Sequence, residues 1–207
     1  MKKYLFFVFL ILILGIFFLF LRPVNIKKSV EKIEEKSEIE AGYFLGEANA
    51  KSFVIFEDYQ CVFCRRFYLE VEPKIYENFV KNNKLKIIIK FYPILGEESW
   101  LAAIAANCAG KQGKFWKYRE ILFENQFGVN IGKFKKNNLI NFARNLDLDL
   151  ESFESCLNDE GVKKEIERDF NLGKSLKIFG TPAFWFNDKK YVGFLDYVKI
   201  KKIIENE

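Results

Sequence analysis

The sequence has no histidine and only four cysteines among its 207 residues. Without imidazole, a zinc site would need Cys61, Cys64, Cys108 and Cys156 together. Structural zinc sites draw their ligands from close-set pairs, and here only Cys61 and Cys64 lie close, so no metal is expected. The chain also lacks an excess of one charge. Lysine and arginine total 33 against 28 acids, and three of the cations behind the formal net charge of +5 are Lys2, Lys3 and Arg22 near the N-terminus. The remainder is a mixed surface with no basic face for nucleic acid. No internal repeat is present.

What is present begins with Tyr4 to Leu21, a run free of charge and of proline behind Lys2 and Lys3. It is long enough to span a bilayer. It passes into Leu21-Arg22-Pro23-Val24 without an Ala-x-Ala-like site or a lipid-accepting cysteine, so an uncleaved anchor over residues 1–22 is expected rather than a cleaved signal peptide. Cations flank the run on both sides, and charge alone leaves its orientation open. Residues 23–41, rich in Lys, Glu and Ser, read as a charged tether, and 42–207 as a single folded domain.

Within that domain, Ser52 to Phe56 is a continuous apolar run suited to a buried strand. Phe63, Phe67, Val71, Ile75 and Phe79 recur at helical spacing with Pro73 among them, which predicts one long helix kinked at the proline. Leu85, Ile87, Ile89 and Phe91 then alternate as a second strand. Apolar faces around Leu101–Cys108, Phe115–Leu122, Leu139–Leu146, Leu150–Leu157 and Val162–Phe170 predict a helical insert over about 97–176. After Gly180-Thr181-Pro182 come a strand at Ala183–Phe186, a turn at Asn187-Asp188, a strand at Tyr191-Val192 and a helix near Leu195–Ile204. The fold class is α/β, in the order βαβ, helical insert, ββα.

The first strand leads into Phe53-Val-Ile-Phe-Glu-Asp-Tyr-Gln-Cys-Val-Phe-Cys64. Two cysteines across a helix start are close enough to form a disulfide. The free N–H groups and positive dipole end at that position favour a thiolate at Cys61. With no histidine between the cysteines and no charge on Val62 or Phe63, the lowering should be mild, and Arg65 and Arg66 are the nearest cations in sequence. A redox pair competes here with a structural disulfide and with two inert thiols. A disulfide closing so short a loop would add little stability.

FEDYQCVFC with the following RRFYLEVEPKIYENF, the segment ANCAGKQGKFWKYREILFENQ, and GTPAFWFN together resemble the DsbA-like thiol:disulfide oxidoreductases of the thioredoxin superfamily, in a membrane-anchored form. The resemblance runs from about Gly42 to the end. It implies a thioredoxin fold interrupted by a helical domain, with Cys61 and Cys64 as the catalytic pair. The family's cis-proline loop maps to Thr181 and Pro182, which would border the sulfurs and offer an edge to a substrate peptide. It further suggests a non-catalytic disulfide between Cys108 and Cys156, two cysteines that could otherwise be free and buried. The chain departs from the family in having Val62 and Phe63 inside the pair and Ile55 where some relatives bury an acid. Glu57 or Asp58 could replace that acid, although solvated acids at a strand end are the expectation.

The function implied is a membrane-tethered oxidoreductase with its domain on the extracytoplasmic side. It would exchange disulfides with exported proteins and be recycled by a membrane redox partner. No cofactor is expected, because the sulfurs carry the electrons themselves. A competing class is an anchored binding or chaperone module of the same fold, using an aromatic surface around Phe63, Trp185 and Pro182.

Overall fold

The computed structural model of the protein describes residues 26–206. The expected anchor at 1–22 lies outside them, and among the described residues no helix is long and apolar enough to cross a membrane. Helix α1 (Ile26–Glu40) carries mainly Lys, Glu and Ser. The segment Ile39–Glu207 is one compact unit.

Five strands form its sheet: β1 (Tyr43–Leu45), β2 (Lys51–Glu57), β3 (Leu85–Phe91), β4 (Ala183–Phe186) and β5 (Lys189–Val192), in the spatial order β1-β3-β2-β4-β5. β2 and β3 run parallel, with Ile55 opposite Ile89, while β4 lies antiparallel on the other side of β2. The central strand is buried on both faces. Phe53 and Ile55 join one apolar cluster with Ile87, Ile89, Phe184 and Phe186, and Val54 and Phe56 join another with Ile88, Leu172 and Ile178. Alternation along a strand makes that division unavoidable. It explains why β2 reads as unbroken apolar sequence.

Between β2 and β3 the single predicted helix is divided. Helix α2 (Val62–Glu70) ends at Val71, a short α3 (Glu72–Ile75) carries Pro73 in its first turn, and Tyr76–Val80 forms a wide π-type turn. Proline has no N–H to give to the preceding turn and is tolerated only near a helix start, so the break falls just before Pro73. Phe67, Val71, Ile75 and Phe79 still lie buried along one side. Strand β1, which the sequence reading missed, spans three residues and pairs antiparallel with β3.

The insert comprises α4 (Glu97–Lys111), α5 (Phe115–Glu124), α6 (Lys136–Arg144), α7 (Leu150–Leu157) and α8 (Glu160–Ser175). Asp149 and Asp159 cap α7 and α8 by accepting backbone N–H bonds from Ser152 and Gly161. Cys108 on α4 is disulfide-bonded to Cys156 on α7. Helix α9 (Tyr197–Glu205), capped by Asp196, closes the chain.

Candidate active site

Cys61 is the cap residue of α2, with extended backbone (φ −77°, ψ 117°). Its carbonyl accepts from Arg65 N at 3.0 Å and so opens the helix, while its own N–H is held by the Asp58 carbonyl at 3.0 Å. Cys64 lies one turn on. Both cysteines are free thiols. Cys61 is 7% exposed and Cys64 2%, so Cys61 is only slightly the more open.

The two thiols nonetheless differ in acidity. Cys61 is lowered from 9.0 to about 6, chiefly by a hydrogen bond from the Cys64 thiol. Burial opposes the shift, and the Thr181 side chain and the backbone N–H groups of Cys64 and Phe63 reinforce it. Cys64 is pushed well up, first by burial, then by the hydrogen bond it gives to Cys61 and by the charge there. The helix end and the neighbouring sulfur therefore do the work that a histidine would share. Arg65 donates to the Phe123 carbonyl at 2.9 Å, and Arg66 pairs with Glu70 while lying over the Phe194 ring. Both side chains thus have hydrogen-bond or ion-pair partners other than the Cys61 sulfur.

Across the site, the Thr181-Pro182 peptide is cis. Cys61 Sγ, as a thiol, donates to the Thr181 carbonyl at 3.3 Å. The structure thus brings Cys61, Cys64, Thr181 and Pro182 together and keeps Cys108 and Cys156 in a separate bond within the insert. Phe63 is exposed beside the pair, but Trp185 packs with the second apolar cluster, on the opposite sheet face from Phe184 and Phe186. The aromatic surface expected around Phe63, Trp185 and Pro182 is therefore not formed, and Pro182 itself is buried. Period-2 alternation along β4 turns Trp185 away.

The acids that end β2 correct a second expectation. Glu57 and Asp58 are buried, at 3% and 1% exposure, rather than solvated. Glu57 accepts two bonds from Arg119, at 2.7 and 2.8 Å, and Glu72 accepts two more from the same guanidinium, both at 2.7 Å. Burial raises the Glu57 carboxyl, and Arg119 opposes it. Asp58 accepts from Ser99 Oγ (2.7 Å) and from the backbone N–H groups of Gln60 (2.8 Å), Ile94 (2.8 Å) and Leu95 (3.0 Å). Burial pushes its carboxyl up against these four bonds. Sequence reasoning missed Arg119, Glu72, Ser99 and Gln60, because each acquires its role only through contacts distant in the chain.

A buried acid pair, a helix-capping cysteine and a cis-proline loop lie together at one end of a central parallel strand pair on a thioredoxin fold. The family described as thioredoxin matches residues 38–206. The disulfide bond formation protein D of Bacillus subtilis is 30% identical over 167 residues, covering 79% of this chain and 75% of that protein. The crystal structure of oxidised BdbD from Bacillus subtilis superposes with a TM-score of 0.73 at 30% identity, covering 79% of this chain and 90% of that one. A point variant of alpha-DsbA1 from Wolbachia pipientis, with a TM-score of 0.73 at 21% identity over 83% of this chain and 94% of that one, shares the fold. The chain belongs to the thioredoxin family, among its DsbA-type disulfide oxidoreductases.

Proposed function

We propose that Cys61 and Cys64 are the redox pair, that Cys61 is the sulfur attacked by a partner, and that Thr181 and Pro182 border the bound partner chain. The observation that carries this reading is the divergence of two adjacent thiols, one lowered to about 6 and the other pushed well up by burial. In the oxidising direction a partner thiolate bonds to Cys61 Sγ. The Cys61–Cys64 bond breaks, and its electron pair leaves on Cys64, which takes a proton. A second partner thiolate then attacks the partner sulfur, releasing Cys61 as a thiolate. The partner loses two electrons, and the pair gains them.

In this reading Cys108–Cys156 is structural, and Tyr4 to Leu21 anchors the domain on the extracytoplasmic side. Exported proteins are its substrates, and a membrane redox protein recycles it. Four cysteines that divide into two pairs suit an oxidising compartment. The test is equilibration of the purified protein against a glutathione redox series, with Cys61–Cys64 oxidation read by mass. Attacking thiols with pKa about 7 and about 3.5 occur in thioredoxin and DsbA, whose potentials are about −270 and −120 mV. A midpoint between those two is expected. A pair that stays reduced, or oxidised, across the series would contradict the assignment.

A further inference from the structure

We propose that the loop after α5, carrying Phe127 and Val129, forms an apolar subsite for the partner residue next to the cysteine that bonds to Cys61. The proposal rests on the reading of Cys61 as the attacked sulfur.

An open groove of about 490 Å³ has Cys61 in its wall, together with Phe63, Leu95, Phe127 and Val129, and with Arg65, whose Nε is held by the Phe123 carbonyl at 2.9 Å. That volume lies within the roughly 300–1,000 Å³ of ligand-binding clefts, with room for a large side chain and its neighbours. Phe127, Val129 and Ile131 are 65%, 46% and 57% exposed, although the segment also holds Gly128, Asn130 and Gly132, a turn composition that could have presented polar groups to water at no cost. Here the polarity is inverted. Gln126 is buried and donates to the Gln60 carbonyl at 2.8 Å. The backbone N–H of Asn130 donates to Gln60 Oε1 at 2.6 Å, and the Asn130 side chain donates to the Leu95 carbonyl at 2.9 Å. Gln60 Nε2 in turn donates to Ser99 Oγ at 2.8 Å and to Asn130 Oδ1 at 3.1 Å.

Asn130 adopts φ 51°, a conformation asparagine tolerates better than most residues. The network satisfies the loop's polar groups against Gln60, the residue immediately before Cys61, and leaves its apolar side chains pointing outward. Ile131 lies over Gly128, whose missing Cβ would sit 3.0 Å from Ile131 Cδ1. An apolar wall is thus held against Gln60, the residue that precedes the reactive sulfur.

The occupant follows from covalent chemistry. Once a partner cysteine is bonded to Cys61, its sequence neighbours must lie against whatever surrounds that sulfur. Those surroundings include Thr181, whose carbonyl lies 3.3 Å from the sulfur, and this groove. An unfolded partner segment with a large aliphatic or aromatic residue beside its cysteine fits the groove, and a Ser-flanked or Lys-flanked cysteine leaves it wet.

The test uses the full-length oxidised protein, stopped-flow kinetics, and two cysteine peptides that differ only in leucine or serine flanks. Each rate is divided by that of 2-mercaptoethanol with the same protein, so that changes in Cys61 itself cancel. The leucine peptide should react about tenfold faster, the discrimination a small apolar pocket supplies. The Phe127→Ser/Val129→Ser variant should bring the ratio close to one. A parent ratio near one, or a ratio that survives the double substitution, would overturn the subsite. Failure of the parent to react with 2-mercaptoethanol through Cys61 would instead overturn the reading beneath it.

Discussion

Replacing Arg119 by methionine should be among the most damaging single changes in the chain. The Arg119 side chain is 2% exposed and holds the buried carboxylates of Glu57 and Glu72. It also lies 5.0 Å from the Tyr68 ring, 5.6 Å from Trp116 and 5.2 Å from Phe123. Methionine fills much of that space but leaves two carboxyl groups in an apolar setting. Breaking a buried pair in this way costs about 3–5 kcal/mol. In a domain of this size each kcal/mol moves the melting temperature by about 2–4 °C, so a fall of about 10 °C at pH 7 is expected by circular dichroism.

The pH dependence has a definite sign. Burial raises the folded-state pKa of Glu57 even with Arg119 present, and without the cation it must rise further. A carboxyl raised in the folded state takes up protons on folding, so its penalty grows as pH rises from the ordinary glutamate value through the raised one. The gap between variant and parent should therefore narrow from pH 7 to pH 5. The triple variant Glu57→Leu/Glu72→Leu/Arg119→Met, with no stranded charge, should recover most of the loss. A single variant as stable as the parent at pH 7, or a triple variant no better than the single, would refute the reasoning.

Replacing Cys108 and Cys156 by alanine opens a loop of 48 residues, which should cost about 4 kcal/mol in the chain-entropy model. Unfolding in urea reads this, and thiol exchange should continue. Alkylation of the reduced protein, mapped by mass, should modify Cys61 with a midpoint near its pKa of about 6, while Cys64 stays unmodified. Because the Cys61 thiol is lowered on folding, the reduced form should lose stability as pH falls from about 9 through about 6, a window the disulfide form does not share. Protease added to cells without an outer barrier should remove the domain, and full protection would refute the proposed topology.

Much of this was legible in the sequence, because the relevant signals are local. The two-sided burial of β2 shows as an unbroken apolar run, the capping of α2 by Cys61 follows from the apolar stripe behind it, and the Gly180-Thr181-Pro182 turn marks the return to the sheet. Strand β1 escaped because three residues carry no measurable period and its pairing with β3 supplies the order. The burial of Glu57 was illegible for a different reason. An acid at the end of a strand is ordinarily solvated, and only Arg119, on a helix of the insert, makes the interior tolerable for it. The loop bearing Phe127 and Val129 had a visible signal in its alternation of large apolar residues with Gly128, Asn130 and Gly132. That alternation points to a site only once Gln60 is seen holding the loop beside Cys61.

The most direct test of the central claim is trapping. Cys64→Ser and Cys61→Ser variants should be expressed in cells, and their mixed disulfides separated on non-reducing gels and mapped by mass. A partner bonded to Cys61 in the Cys64→Ser variant has no internal thiol to release it, so complexes through Cys61 should accumulate there and be absent from Cys61→Ser. Complexes through Cys64 alone, or none from either variant, would contradict the assignment of Cys61 as the reactive sulfur.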